Sequence, residues 1–236
     1  MKIVAVLGSP HGMKGNTGRL LEPLLDAVRQ RGAEVQVFSL AELEVAPCRG
    51  CDVCHRTGTC HIKDDGDTIK AAMAGADSVV LASPNYVFSV SAQMKALFDR
   101  SCGAIHCRAL SGKYGAAVVT AGGGGSEQVI NYTGQFLLAT GAWMVGGVAA
   151  EGAQLVDDAR RRERVDAARE LGRAPGRRHR GQGHLPRPGS PAQSLRRPHA
   201  PARYRPQRPV ALRVQLLERA RLAGRVAEQN PVPEKV

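Results

Sequence analysis

The sequence of 236 residues has few aromatic residues and no long apolar run. Aromatic side chains make up 4% of the chain, and no apolar stretch approaches the ~20 residues that a membrane-spanning helix needs. The first apolar run starts at Ile3 and stops at Gly8, which is too short for a secretory signal segment. We therefore expect a cytoplasmic protein that does not associate with membranes.

Acidic residues and lysine are both absent from residues 171–217, where arginine and proline are frequent. Residues 1–170 contain 18 basic and 18 acidic residues, so the formal net charge of +12 comes entirely from residues 171–236. This segment has too little apolar surface to offset the entropy of a folded chain, and we expect a disordered tail. Tyr204 is its only aromatic residue, which leaves little for base stacking. A nucleic-acid-associated protein with a basic tail is therefore only the second alternative, and we expect no nucleic-acid partner.

The abrupt change in composition has another interpretation. Arg, Pro, Gly, Ala and His are the residues that a GC-rich gene encodes when it is read out of register, so a frameshift near residue 172 would produce this tail. Asp157–Leu171 has the pattern of a helix start that breaks off before Pro175. In either case the sequence predicts a folded domain over residues 1–170 and a separate Arg/Pro-rich tail over residues 171–236.

Four of the six cysteines, the four-cysteine group, fall within 13 residues: Cys48, Cys51, Cys54 and Cys60. The spacing C-x2-C-x2-C is typical of iron–sulfur proteins, in which thiolates bind the iron. In a reducing compartment disulfides are disfavoured, and clustered cysteines more often serve metal or redox chemistry. An iron–sulfur cluster is the preferred interpretation, while a zinc site and unmetallated thiols remain open.

Other potential ligands lie near this group. His55 and His61 either modify the metal centre or replace one of its ligands, or they are solvated loop residues. Cys102 and Cys107 flank a predicted helix end, and we interpret them as ordinary thiols because the sequence shows no second ligand set near them.

Apolar runs alternate with helical patterns over the first 150 residues. This alternation predicts a doubly wound α/β fold, in which ligands bind at the carboxyl ends of parallel strands. The predicted strands are Ile3–Leu7, Val35–Phe38, Ser78–Ala82, Ala116–Thr120 and Trp143–Val148. The predicted helices are Thr17–Arg31, Val90–Arg100 and Glu127–Ala139.

Three loops should therefore meet at one sheet edge. Residues 8–17, after the first strand, carry hydroxyls and glycines and lead into a helix N-terminus, which attracts phosphate. They match neither G-x-G-x-x-G nor a Walker A loop, so a dinucleotide or ATP is not expected. Residues 83–89 offer Tyr86 for stacking on a flat heterocycle, and residues 120–126 contain four consecutive glycines that expose N–H donors. Each loop also has a simpler interpretation. Residues 8–17 could be an ordinary capped turn, the aromatic residues of 83–89 could cover the apolar core, and residues 120–126 could be a flexible connector.

The chain resembles the flavodoxin-like NAD(P)H-dependent FMN reductases, and specifically the iron–sulfur flavoproteins. The resemblance covers residues 1 to about 155 and implies a five-stranded sheet in the order 2-1-3-4-5, with a cysteine-rich loop after strand two. We call residues 45–65 the cysteine loop. The resembling segments are GSP and GNT within residues 8–17, VAPCRGCDVCHRTGTCHIKDD at 45–65, SPNYVFSVSAQMKALFDR at 83–100 and TAGGGG at 120–125.

The resemblance also implies cofactors and partners. NAD(P)H would reduce FMN, a 4Fe–4S cluster on the four-cysteine group would carry single electrons, and a small molecule or a protein would accept them. The subunits would form a homodimer or a tetramer. Protein groups would position the cofactors rather than react, so we nominate no catalytic residue. The implied FMN contacts are Ser9, His11, Gly15, Asn16, Thr17, Ser83, Pro84, Asn85, Tyr86, Val87, Phe88, Thr120, Ala121, Gly122 and Gly123.

The chain departs from this family in its C-terminal region. The family's last helix should run on from about residue 155, and here the Arg/Pro-rich sequence should remove it. This predicts a sheet face without its final helix, with apolar surface left exposed. A flavin-only reductase that acts on quinones or free flavin, with cysteines that bind nothing, is the alternative function.

Overall fold

The computed structural model describes residues 1–152 and 158–173, and strands and helices alternate along them. The strands are β1 (Lys2–Leu7), β2 (Glu34–Ser39), β3 (Ser78–Pro84), β4 (Tyr114–Ala121) and β5 (Trp143–Glu151). The helices are α1 (Asn16–Arg29), α2 (Val53–Thr57), α3 (Gly66–Gly75), α4 (Ala92–Asp99), α5 (Cys102–His106), α6 (Ser126–Ala139) and α7 (Asp158–Arg173). The sequence pattern predicts α1, α4 and α6 but gives no sign of the short helices α2 and α5 or of α3.

The five strands form one parallel sheet in the order β2-β1-β3-β4-β5. Parallel neighbours need crossover connections, and the helices that make them cover both faces of the sheet. Strands β1 and β3 are buried on both faces, which explains the continuous apolar runs in their sequences. The predicted flavodoxin-like topology is confirmed.

Two apolar layers flank the sheet. On one face, the leucines of α1 pack against residues of β1 and β3, together with Ala168 of α7. On the other face, α3, α4 and α6 supply the core, and the rings of Phe98 and Phe136 stack with their centroids 3.8 Å apart. Both layers leave the carboxyl ends of the strands accessible to the loops.

The prediction that the last helix is missing is wrong within the described residues. Helix α7 runs over 16 residues on the same side of the sheet as α1. Its Ala168 is fully buried, and Leu171 packs partly buried against the same apolar layer. Ala167 packs against this layer as well, so α7 covers this face of the sheet. Residues 174–236 lie outside the described residues, and the disorder and the frameshift stay predictions.

No helix among residues 1–152 and 158–173 has the length and apolar character that crossing a membrane would require.

Candidate functional site

The loop after β1 packs tightly against the start of α1. A Cβ atom on Gly15 would lie 2.8 Å from the Cβ of His11 and 3.0 Å from the Oγ of Ser9. A Cβ atom on Gly18 would lie 2.4 Å from the backbone of Met13. Only glycine fits at these two positions, and the loop therefore follows the helix end closely. The first N–H groups of α1 have no acceptor inside the helix and remain available to an anion at this edge.

Buried hydroxyl groups join the three predicted loops. The hydroxyls of Thr17 and Thr120 lie 2.7 Å apart and connect the start of α1 to the end of β4. The Ser91 hydroxyl donates to the carbonyl of Gly8 at 2.6 Å, and the Ser91 N–H donates to the Ser83 hydroxyl at 2.9 Å. These bonds connect the loop after β1 to the loop after β3. The structure thus brings together the three loops that the sequence predicts to meet.

Asn85 stands at the centre of this edge and has an unused acceptor. Its N–H donates to the Thr120 carbonyl at 2.7 Å, and its side-chain Nδ2 donates to the Gly124 carbonyl at 2.7 Å. Its Oδ1 is buried and has no hydrogen-bond partner within the described part of the chain. A buried acceptor without a donor is costly, so a ligand that donates a hydrogen bond fits here. Beside it, Gly122 and Gly123 border open space.

The tip of the loop after β3 is a strained and exposed turn. Tyr86 and Ser89 exchange two backbone hydrogen bonds, and Val87 and Phe88 between them have φ of +50° and +60°. Such a turn favours Asn-Gly, and a β-branched residue with positive φ is strained by about 1–3 kcal/mol. Val87 is nevertheless 93% exposed and Phe88 63% exposed. Strain and exposed apolar surface together mark this turn as a contact surface.

The other implied FMN contacts have simpler positions. Pro84 and Ala121 are the last residues of β3 and β4, whereas His11 and Asn16 are exposed beside α1. The role of all fifteen residues as FMN contacts stays a prediction.

Two acidic residues close the base of the cysteine loop. Asp64 Oδ2 accepts a hydrogen bond from the Ala46 N–H at 2.9 Å, and Asp65 Oδ2 accepts one from the Glu44 N–H at 2.8 Å. The acidic pair that ends the cysteine motif in the sequence therefore holds the two ends of the loop together.

Arg100, which sequence reasoning missed, anchors the same loop from the end of α4. Its side chain is 1% exposed and donates to Asp64 through two bonds of 2.7 and 2.9 Å. It also donates to the carbonyls of Ala46 at 2.9 Å and Ile62 at 3.3 Å. Asp64 and, more weakly, the Cys60 thiol raise the pKa of Arg100. A permanently charged side chain is thus fixed beside the four-cysteine group.

The same ion pair predicts an acid-sensitive contribution to stability. The hydrogen bonds from Arg100 lower the pKa of Asp64 from 3.8 to about 2. A lowered folded-state pKa stabilises the fold at every pH above the usual value, and this stabilisation is lost as the pH falls from about 3.8 to about 2. At neutral pH we expect the free energy of unfolding of the wild type to exceed that of Asp64→Asn by on the order of 2 kcal/mol. This difference should shrink as the pH falls across that window. Denaturant unfolding at several pH values measures it; a difference that is constant down to pH ~2 would contradict the assignment.

The four-cysteine group borders one cavity. All six cysteines are free thiols, and the four line a cavity of about 180 Å³ together with Arg100 and Cys102. Cys54 lies on α2, a short helix inside the cysteine loop, and Cys51 Sγ lies 3.2 Å from His61 Nδ1. Four soft thiol donors around one small cavity match the ligand set of an iron–sulfur centre. The residues present therefore fit the group that the motif suggests.

His55 and Cys102 line the same cavity and form a second ligand set with His106, so the prediction that Cys102 has none nearby is wrong. His55 Nε2 lies 2.9 Å from Cys102 Sγ, and the His55 and His106 rings meet edge-on with centroids 4.7 Å apart. Burial, together with the Cys54 and Cys48 thiols and Asp52, raises the pKa of the Cys102 thiol. The spacing Cys102-x3-His106 is a usable signal, because residues four apart share one face of a helix.

Comparison with known proteins decides the family. The family model described as NADPH-dependent FMN reductase matches residues 1–154. The chain belongs to the NADPH-dependent FMN reductase family. The predicted class, an oxidoreductase, is confirmed by this match.

Within the NADPH-dependent FMN reductases, similar relatives include iron–sulfur flavoproteins from archaea. The Methanocaldococcus jannaschii protein is 39% identical over 148 residues, which are 62% of this chain and 76% of the relative. The Methanosarcina thermophila protein is 37% identical over 153 residues, which are 62% of this chain and 78% of the relative. An Archaeoglobus fulgidus protein is 38% identical over 147 residues, which are 62% of this chain and 66% of the relative. The predicted placement among the iron–sulfur flavoproteins of this family is confirmed.

Solved structures share the fold of this reductase at low sequence identity. The apo form of the NADH:FMN oxidoreductase EMOB has a TM-score of 0.54 at 21% identity, covering 72% of this chain and 88% of that chain. An FMN-dependent NADH-azoreductase from Bacillus anthracis, in complex with FMN, has a TM-score of 0.55 at 11% identity, covering 73% and 97%. At such identities the similarity establishes the flavodoxin-like fold alone.

Proposed function

We propose that this protein is an electron-transfer enzyme that uses NAD(P)H, with FMN at the three loops and a 4Fe–4S cluster on Cys48, Cys51, Cys54 and Cys60. The observation that carries the proposal is the cysteine loop, in which four free thiols border one cavity and a buried arginine fixes the loop. Bound FMN would exchange hydride and single electrons, and the cluster would exchange single electrons. The chain's own residues hold and orient these groups.

The N-terminus of α1 is the proposed binding site of the FMN phosphate. Its free N–H groups and helix dipole favour an anion, and the buried Ser9 and Thr17 supply hydroxyls beside it. The unpaired Oδ1 of Asn85 is the proposed acceptor for a donor on the flavin ring. The space next to Gly122 and Gly123 lets the backbone approach the ring.

Replacing Asn16 by aspartate should change FMN affinity and protein stability in opposite directions. Asn16 is the exposed first residue of α1, where a carboxylate stabilises the helix by about 0.3–1 kcal/mol. The same carboxylate would repel a bound phosphate and weaken FMN binding by about 1–3 kcal/mol. Flavin titration of the apoprotein and thermal unfolding would measure both effects, with Asn16→Ala as the uncharged control. Unchanged FMN affinity in Asn16→Asp would place the phosphate elsewhere.

Anaerobic purification with iron, sulfide and flavin analysis tests the proposed function. The proposal predicts one FMN and about four irons per chain, with a broad visible absorbance underneath the flavin bands. Flavin bands without iron would favour the alternative, a flavin-only reductase of quinones or free flavin. Released FAD instead of FMN would contradict the assignment of a single phosphate-binding site.

We also propose a homodimer or tetramer in the cytoplasm. The exposed apolar turn at Val87 and Phe88 supports an interface, because exposed apolar side chains in a strained turn gain most from being covered. Six free thiols suit a reducing compartment. Sedimentation of the FMN-loaded protein measures the oligomeric state, and a monomer would contradict this part of the proposal.

A further inference from the structure

We propose that His55, Cys102 and His106, the His–Cys–His group, form a zinc site that shares no ligand with the four-cysteine group. One ligand atom from each residue lies within 4.8 Å of the other two. Ligands of a tetrahedral zinc ion are roughly 3.3–3.6 Å apart, given bond lengths of about 2.0–2.3 Å. The exposed histidine side chains need to move only about an ångström to reach that geometry. Imidazole and thiolate are the donors that zinc prefers in proteins.

Asp52 supplies an independent sign that His55 is arranged as a ligand. Its Oδ1 lies 3.3 Å from Nδ1 of His55, while Nε2 of the same ring faces Cys102 Sγ at 2.9 Å. Metal-binding histidines usually donate their second ring N–H to a carboxylate, which fixes the ring and selects the metal-binding nitrogen. The chain adopts a left-handed conformation at Asp52, with φ of +57°, to begin α2 at this point.

The backbone holds the three side chains in place from two helices. Cys102 and His106 are the first and last residues of α5 and lie on one helical face, whereas His55 projects from α2. Zinc bound here would join α2, which carries Cys54, to α5. Its fourth position would face a cleft that Gly58, Gly103 and Cys107 also line, which leaves room for a water molecule. The ion would thereby fix the part of the cysteine loop that carries Cys54.

Zinc ions alone, added to the FMN- and iron-loaded protein under anaerobic conditions, probe the site. Metal analysis after dialysis should find one tightly bound zinc per chain. In both Cys102→Ser and His106→Gln we expect the zinc content to fall by one ion per chain. The affinity for zinc should drop by more than about 100-fold, because losing a ligand costs more than losing the carboxylate that orients a ligand. Asp52→Asn should weaken zinc by about 10–100-fold. Cys107→Ser, which removes a thiol next to the site, is the matched control and should retain the zinc.

The outcomes distinguish this site from the four-cysteine group. Zinc that persists in His106→Gln and disappears in Cys51→Ser would place the ion in the cysteine loop and overturn the proposal. Wild type without tightly bound zinc would overturn it too. Iron and FMN are measured in the same samples, so a failure of the proposed function shows as missing iron or flavin and leaves the zinc result intact. Thermal unfolding confirms that the exposed His106 variant is folded.

Discussion

Replacing Arg100 by methionine should lower the free energy of unfolding by about 3–5 kcal/mol, because it leaves the buried carboxylate of Asp64 without its cation. The substitution also removes the bonds that hold the carbonyls of Ala46 and Ile62. We therefore expect the cysteine loop to lose its order, and the iron content of the purified protein to fall with it. Denaturant unfolding and iron analysis of the same preparations measure the two effects.

Lys95→Met is the matched control for this substitution. Lys95 lies five residues before Arg100 on α4 and pairs with Asp99, but both side chains of that pair are more than 40% exposed. An exposed pair of this kind contributes about 0.3–0.5 kcal/mol. Removing both buried partners, in Arg100→Met with Asp64→Leu, should restore part of the stability, because no unpaired charge then remains. If Arg100→Met is no more damaging than Lys95→Met, the buried pair does not hold the loop.

The sequence predicts the sheet because each strand is a local signal. The apolar runs of β1 and β3 reflect burial on both faces, and the leucines of α1 repeat at helical spacing. The position of the candidate FMN site follows from the topology, since parallel strands place their carboxyl ends at one edge. The exact start of α4 does not follow from apolar spacing: the Ser91 hydroxyl caps the helix by accepting the Met94 N–H, so it begins at Ala92 and not at Val90.

Features that depend on distant residues could not be predicted. Arg100 and Asp64 are 36 positions apart, and nothing local shows that an arginine at the end of a helix is buried. His55 and Cys102 are 47 positions apart and meet only when α2 and α5 pack together. The family's last helix was predicted to be lost because the Arg/Pro-rich sequence should interrupt it. Its docking depends on a few side chains, Ala168 and Leu171 among them, and a composition argument does not detect such a small contact.

Replacing Cys51 by serine should remove the iron while FMN stays bound. The four thiols lie on the loop after β2, whereas the proposed FMN contacts lie on the loops after β1, β3 and β4. A serine hydroxyl is a poor ligand for iron, which the cluster holds through thiolates, so iron should fall from about four per chain to nearly none. NAD(P)H should still bleach the flavin, while reduction of a one-electron acceptor falls. Iron, flavin and rate measurements on one anaerobic preparation test all three expectations.

His61 makes this test sharper. Its Nδ1 lies 3.2 Å from Cys51 Sγ, close enough to take over as a ligand when the thiol is lost, and histidine is an accepted ligand of some iron–sulfur centres. We therefore expect the double variant Cys51→Ser, His61→Gln to lose whatever iron the single variant retains. Cys107→Ser, an exposed thiol outside the four-cysteine group, should keep its full iron content. Full iron in the double variant would show that Cys51 is not a ligand.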